Sequence, residues 1–197
     1  MVVYKISVPN RVDFLLALPV LLYRWVRRGY TYRLVRLSQG LYAKVDPEDF
    51  YELIKYKWHA HRSSRTYYAN RVEITKKQRK CVSMHRFVMS EALKRCGIGM
   101  QVDHINGDGL DNRKANLRLA TAAQNSRNRR QRRGKSSRYK GVSFIRPKGK
   151  FVAEITCNGK RMSLGHFKSE VKAAKAYDEA AKKYHGEFAC LNFPEMT

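Results

Sequence analysis

The sequence predicts an α+β chain of two small folded units separated by a strongly basic segment, and three observations carry that reading. The first is a period-two strand in which Phe151, Ala153, Ile155 and Cys157 alternate with Val152, Glu154 and Thr156, closed by Asn158-Gly159. The second is a strand-loop-strand-helix order from Val102 to Asn125, with Gly107, Gly109 and a cluster of Asn and Asp residues in the loop. The third is the run Ser126 to Arg138, which has seven basic residues and almost no apolar ones. Such a run must be solvated or lie on a polyanion.

Composition narrows the partners. An apolar share of 43% over 197 residues permits packed cores and argues against a disordered polycation. Lys and Arg number 41 against 16 Asp and Glu, a net charge of +25 that calls for an anionic partner, either nucleic acid or an anionic membrane surface. The apolar run at 14 to 26 is too short to span a bilayer, which takes about 20 residues, and it contains Pro19 and Arg24. No small-x-small cleavage pattern follows it. A helix from Val12 to Arg28, packed or partner-facing, within an apolar and basic segment 1–35 is the expectation, and with it an intracellular, cytoplasmic chain without signal peptide or membrane span. Cys81, Cys96, Cys157 and Cys190 lack paired spacing, so they read as isolated reduced thiols and not as a zinc site or disulfide framework.

The block 139–194 follows the basic linker 129–138. Its first strand is expected at Lys140 to Ile145, turned by Pro147-Lys148-Gly149 into the strand at 151–157. Asn158-Gly159 favours a type I′ hairpin, and Met162 and Leu164 alternate with Arg161 and Ser163 on the return strand. Ser169 is a credible N-cap, Val171, Ala174, Tyr177, Ala181 and Tyr184 form a helical stripe, and Gly186 stops it. A three-stranded antiparallel sheet with one helix on one face results, and the other face is left to meet something else.

In Tyr139-Lys140-Gly141-Val142, Gly149-Lys150-Phe151-Val152-Ala153-Glu154-Ile155, Leu164-Gly165-His166-Phe167, Ala173-Ala174-Lys175-Ala176-Tyr177-Asp178 and Leu191-Asn192-Phe193-Pro194, this block resembles an AP2 (ERF-type) domain. The resemblance implies a sheet laid in the DNA major groove, a known mode of readout. Plant members carry a Trp and Arg residues that contact DNA where Lys148, Ser143 and Thr156 stand here. Arg146, Lys150 and Arg161 keep the basic character, so the target site of this chain is its own.

The chemistry is expected between Val102 and Asn125. Leu117 to Ala120 read as the second strand, and Thr121 as the cap of a helix carrying Asn125, an order that can gather Asp103, His104, Asn116 and Asn125. Taken singly, Asp103 and Asn116 could satisfy turn backbone and His104 could be a buried hydrogen-bonded histidine. As a set they suit phosphodiester hydrolysis. A neutral imidazole takes a proton from water near neutral pH. A hard cation on oxygen ligands stabilises the charge of the phosphorane and the departing 3′ oxygen.

This pattern resembles the HNH (ββα-metal) nucleases of the phage and intron homing type, over residues 36–128. Leu37-Ser38-Gln39-Gly40, Val45-Asp46-Pro47-Glu48-Asp49, Tyr56-Lys57-Trp58-His59 and Met84-His85-Arg86 extend the resemblance upstream. It implies His104 as general base, Asn116 holding the loop and the histidine, and Asp103 and Asn125 as ligands of one divalent ion, Mg²⁺ with Mn²⁺ as substitute. Asn125 stands where the literal name has His, a variant common in the homing subgroup. His85 either packs in the core or touches phosphate, and His59 and His61 read as strand residues.

The expected partner is double-stranded DNA, with no membrane, no small-molecule cofactor beyond the metal, and an oligomeric state left open. Arg113, Arg118, Arg127, Arg129, Arg130, Arg132, Arg133, Lys140, Arg146, Lys148, Lys150 and Arg161 are the expected DNA contacts. An HNH site alone recognises little beyond phosphate geometry, so the sheet would supply base readout and the Arg-rich segment would follow the backbone. Two other readings compete: a catalytically silent DNA-binding regulator, and a charge-driven binder of RNA or membrane surface that leaves the catalytic set unexplained.

Overall fold

The computed structural model describes residues 18–20, 22, 23, 26, 31–63, 66–74, 78–131 and 134–194. The chain is α+β and divides into two compact units, residues up to 119 and residues from 120 on. The Val12–Arg28 helix lies largely outside the described residues. Those described within it are helical, with Leu18, Val20, Leu22, Tyr23 and Val26 exposed. No helix among the described residues is long and apolar enough to cross a membrane.

The first unit opens with a hairpin, β1 (Arg33–Arg36) paired antiparallel to β2 (Tyr42–Val45). Next comes α1 (Pro47–Leu53), with Pro47 at its start and Glu48 and Asp49 in its first turn, as the fixed proline φ and the helix dipole favour. An antiparallel sheet follows in the order β3 (His59–Arg62), β4 (Tyr67–Ile74), β5 (Arg79–Ser83), and then α2 (Met84–Val88) and α3 (Ser90–Cys96). Alternation puts Val35, Ala43, Val45 and Ala69 inward against Leu37, Leu53, Trp58 and Met84, the core of this unit. The one polar atom of the buried Trp58 ring is satisfied by donating to the Leu53 carbonyl at 2.8 Å. Arg71 lies over Tyr56 with its Cζ 3.8 Å from the ring centroid and pairs with Glu73, so its charge is accommodated beside aromatic surface.

Two further strands, β6 (Gln101–His104) and β7 (Leu117–Ala120), pair with each other and frame the loop 105–116. That loop is tied to β2, because Lys44 N–H donates to the Leu110 carbonyl and Asn112 N–H donates to the Lys44 carbonyl, both at 2.8 Å. Gly109 passes so close to β4 that a Cβ there would sit 2.5 Å from the Tyr67 carbonyl oxygen.

The second unit begins with α4 (Ala122–Arg127), followed by the antiparallel sheet β10–β9–β8, with β8 (Val142–Ile145), β9 (Lys150–Cys157) and β10 (Lys160–Phe167). Helix α5 (Glu170–His185) packs on one face, burying Ala173, Ala174, Tyr177, Ala180 and Ala181 against Val142, Ala153 and Ile155. Asn158 (φ 50) and Gly159 (φ 76) form the turn with both residues in the left-handed region that a type I′ hairpin needs. Ser169 caps α5 by accepting from Lys172 N–H, and Gly186 ends it. The expected stripe is offset. Val171 and Tyr184 are 39% and 38% exposed, and the small residues Ala173 and Ala180 are buried in the core instead. The first strand begins at Val142, not Lys140, because the backbone of Lys140 is held by Asn192 and Gly141 has φ +73 directly over the Tyr177 ring.

Candidate active site

The last two residues of β6 are Asp103 and His104, each only 5% exposed. The loop between β6 and β7 is wired by short side chains that replace regular backbone pairing. Asn116 is its hub: Oδ1 accepts from Asn106 N–H at 3.0 Å, and Nδ2 donates to Asn106 Oδ1 at 3.0 Å and to the Asp111 carbonyl at 2.8 Å. Asn106 Oδ1 also accepts from Asp108 N–H, and Asp108 Oδ1 from Leu110 N–H. Gly109 N–H donates to Thr66 Oγ1 at 3.0 Å, which fastens the loop tip to the sheet.

This wiring sets the surroundings of His104. Its Nε2 lies 3.4 Å from Asn112 Oδ1, and Asn112 is fully buried. Tyr68 and His85 flank the ring, with centroids at 5.7 and 5.0 Å. Burial pushes the His104 pKa below the ordinary histidine value, against the upward pull of Asn112 and of Asp103, Asp108 and Asp111. The imidazole is therefore neutral at neutral pH. Burial, and then the neighbouring His104 and Arg86, push His85 down to about 3.

The charged residues fall into three groups. Arg118 donates from Nε and Nη2 to Asp103 Oδ2 at 3.0 and 2.9 Å, so this basic residue lies on the Asp103 carboxylate. Arg113 makes a two-pronged pair with Asp111 at 2.7 and 2.6 Å. Burial would raise the Asp111 carboxyl, but Arg113 and Lys44 hold it below its ordinary value. In the second unit, Lys140 donates to the Arg127 carbonyl, and Arg161 pairs with Glu154 although its side chain remains 70% exposed. Arg129, Arg130, Arg146, Lys148 and Lys150 are exposed, Arg127 closes α4, and Arg132 and Arg133 lie outside the described residues.

The structure thus brings Asp103, His104 and Asn116 together in the first unit and places Asn125 on α4 in the second. Thr121 caps α4 in a reciprocal box with Gln124. The roles of Asn106, Asp111, Asn112 and Tyr68 around the histidine were not singled out from the sequence. The Asn and Asp cluster was the available signal for the first three, and nothing marked Tyr68. His59 and His61 lie on β3. A separate acidic group, Asp46, Glu48 and Asp49, has carboxylate oxygens within 4.8 Å of one another, but Lys114 Nζ pairs with Glu48 and Asp49 at 2.7 and 3.1 Å. It contains neither expected ligand.

The donor chemistry of the expected pair fits a hard divalent ion: a buried carboxylate at Asp103 and a neutral amide oxygen at Asn125 are oxygen ligands, not the nitrogen and sulfur set that selects zinc. The four cysteines are free thiols.

Comparison with known proteins finds two domain families in this chain, and the first match runs past residue 119, where the first unit ends. The HNH endonuclease family profile matches residues 84–127, and that of the AP2 domain matches residues 137–187. An uncharacterised HNH endonuclease of Acanthamoeba polyphaga mimivirus is 31% identical over 162 residues, covering 82% of this chain and 80% of its own. Two Arabidopsis thaliana proteins match the C-terminal part alone. The AP2-like ethylene-responsive transcription factor TOE2 is 45% identical over 34% of this chain and 14% of its own length. The dehydration-responsive element-binding protein 2C is 52% identical over 30% and 18%. The chain belongs to the HNH endonuclease family, as a nuclease that carries an AP2 DNA-binding domain.

Proposed function

We propose that the chain is a site-specific, divalent-metal-dependent endonuclease of the homing type that hydrolyses phosphodiester bonds in double-stranded DNA. The observation that carries this reading is His104, a buried imidazole kept neutral by burial, one residue from the buried Asp103 carboxylate and at the end of β6, where the loop held by Asn116 begins. In the proposed reaction His104 takes a proton from water, the water oxygen bonds to phosphorus, and the P–O3′ bond breaks with its electron pair on the 3′ oxygen, which takes a proton from solvent water. The products carry 5′-phosphate and 3′-hydroxyl ends. Asp103 and Asn125 would hold Mg²⁺, or Mn²⁺ in its place, which when bound supplies charge neutralisation at the phosphorane and the leaving oxygen.

Sequence readout is assigned to the sheet face opposite α5, where Thr156 pairs in register with Arg161 and Glu154 with Ser163, together with the exposed turn residues Arg146 and Lys148 and with Lys150 at the start of β9. Arg129 and Arg130, with the neighbouring Arg132 and Arg133, would follow the phosphate backbone. Phosphate or base-edge contact by Arg113, Arg118 and Arg161 requires that each also leave or share its carboxylate partner.

The competing reading of a silent DNA-binding regulator draws on one observation, the Arg118 guanidinium on Asp103 Oδ2, where it competes with a cation. The test is selection of a bound site from a randomised duplex pool, followed by incubation of a supercoiled plasmid carrying it, with Mg²⁺ and with EDTA. Nicked or linear product only with the metal is expected. Binding without any metal-dependent product favours the regulator.

A further inference from the structure

Helix α4 poses a physical problem that the sequence alone does not answer. It has only six residues, none of them buried, and a helix that short does not hold itself together in water. Its N-terminus is served by the Thr121–Gln124 capping box. Its C-terminus is served from the sheet unit. Lys140 Nζ donates to the carbonyl of Arg127, the last helical residue, and Arg127 Nη2 reaches Asn158 Oδ1 at 3.5 Å on the β9–β10 turn. A cation at a helix C-terminus is favoured both by the helix dipole and by the unpaired last carbonyls.

Lys140 is aimed there by the fold. Its own N–H donates to Asn192 Oδ1 at 2.7 Å, and its carbonyl accepts from Asn192 Nδ2 at 3.1 Å. Asn192 is in turn clasped by Asp178 of α5, which accepts from the Asn192 backbone at 2.8 Å and from its Nδ2 at 3.0 Å. The next residue, Gly141, lies so tightly on Tyr177 that a Cβ would come within 1.9 Å of the ring. The backbone carrying Lys140 is therefore fixed on both sides by the core of the sheet unit.

We infer that the AP2 domain supports a residue of the proposed metal site as well as reading DNA: Lys140 is a positioning residue that clamps α4, the helix that carries Asn125. The inference rests on the reading of Asn125 as a metal ligand. It reassigns Lys140 from the expected set of DNA contacts, and it links metal affinity to the integrity of the sheet unit.

The test uses the full chain with Lys140→Met, which removes the cation but keeps the stem, and Lys140→Arg, which restores it. Amide hydrogen exchange over residues 122–127, without metal or DNA, should quicken about 3- to 10-fold in Lys140→Met and stay near wild type in Lys140→Arg. Direct Mn²⁺ titration by water-proton relaxation should show weaker binding by a similar factor for Lys140→Met. Duplex affinity in EDTA, and its dependence on salt, should be unchanged. Unchanged exchange overturns the clamp, whatever happens to cleavage. A fall in duplex affinity with a salt slope smaller by about 1, at unchanged Mn²⁺ affinity, makes Lys140 a phosphate contact and also overturns it. If exchange quickens but wild type never cuts with metal, the nuclease reading fails while the clamp on α4 stands.

Discussion

Replacing Asn116 with Ala separates a loop anchor from a bystander. The substitution deletes three hydrogen bonds, two with Asn106 and one to the Asp111 carbonyl. The Asn106 side is exposed, so water takes over there and each lost bond costs about 1 kcal/mol. Asp111 is 1% exposed, so its carbonyl is left without that donor at a cost of about 1–3 kcal/mol. The total, about 3–5 kcal/mol, falls on the loop that fixes His104. A displacement of the base of about 1 Å costs on the order of 10²-fold in rate, so single-turnover cleavage should fall by about 10- to 100-fold. Urea unfolding read on the same preparations should show the stability loss. Asn116→Asp keeps the acceptor for Asn106 N–H but sets an anion against two oxygens, so it should fare no better than Ala. Wild-type cleavage by Asn116→Asp would mean that a carboxylate serves at this position, as for a metal ligand, and would refute the anchor. Stability and rate both unchanged in Asn116→Ala would refute it too.

Three further outcomes follow from the same contacts. His85 is held neutral in the folded state to about pH 3, whereas it protonates near 6.5 when unfolded. Its contribution is intact above 6.5 and is lost as pH falls from there toward 3. At pH 5 that loss is about 2 kcal/mol, so His85→Gln should flatten the fall in urea stability between pH 7 and 5. Gly109→Ala drives a Cβ into the Tyr67 carbonyl and the Tyr68 ring, within 2.5–2.7 Å. It should cost about 1–3 kcal/mol and slow cleavage at least about 10-fold, without loss of duplex affinity in EDTA. Gly141→Ala meets the Tyr177 ring from a backbone at φ +73, and should destabilise the sheet unit by more than about 2 kcal/mol, read as a lowered unfolding midpoint and lost sequence-specific binding.

Local chemistry made much of this legible in advance. Asn158-Gly159 fixes its turn because only a few residues adopt positive φ cheaply, and Thr121 and Ser169 announce helices because their side chains accept from the first turn. The strands β8 to β10 were readable from alternation, and the loop 105–116 from its Gly, Asn and Asp content. What escaped was long-range partnership. Gly109 donates to Thr66 across 43 residues of sequence, and Lys140 reaches Arg127 across 13. The carboxylate partners of Arg118 and Arg113 went unread because a long cationic side chain has the same signature whether it meets phosphate or a carboxylate. The buried face of α5 was offset because alanine contributes little to a hydrophobic pattern yet permits the closest packing against a sheet. The helix α4, continuous in sequence with the strand before it, sorts with the second unit, where Lys140 donates to its last carbonyl.

The most direct measurement is single-turnover cleavage of a duplex bearing the selected site, by wild type and His104→Ala, with Mg²⁺ and with EDTA. Wild type should cut only with the metal and leave 5′-phosphate and 3′-hydroxyl ends. His104→Ala should bind the same duplex within about twofold while its cleavage rate falls by about 10²–10⁴-fold. A wild-type rate from His104→Ala, or a wild-type protein that binds its site and leaves it whole in Mg²⁺, would contradict the assignment of this chain as a nuclease working through His104.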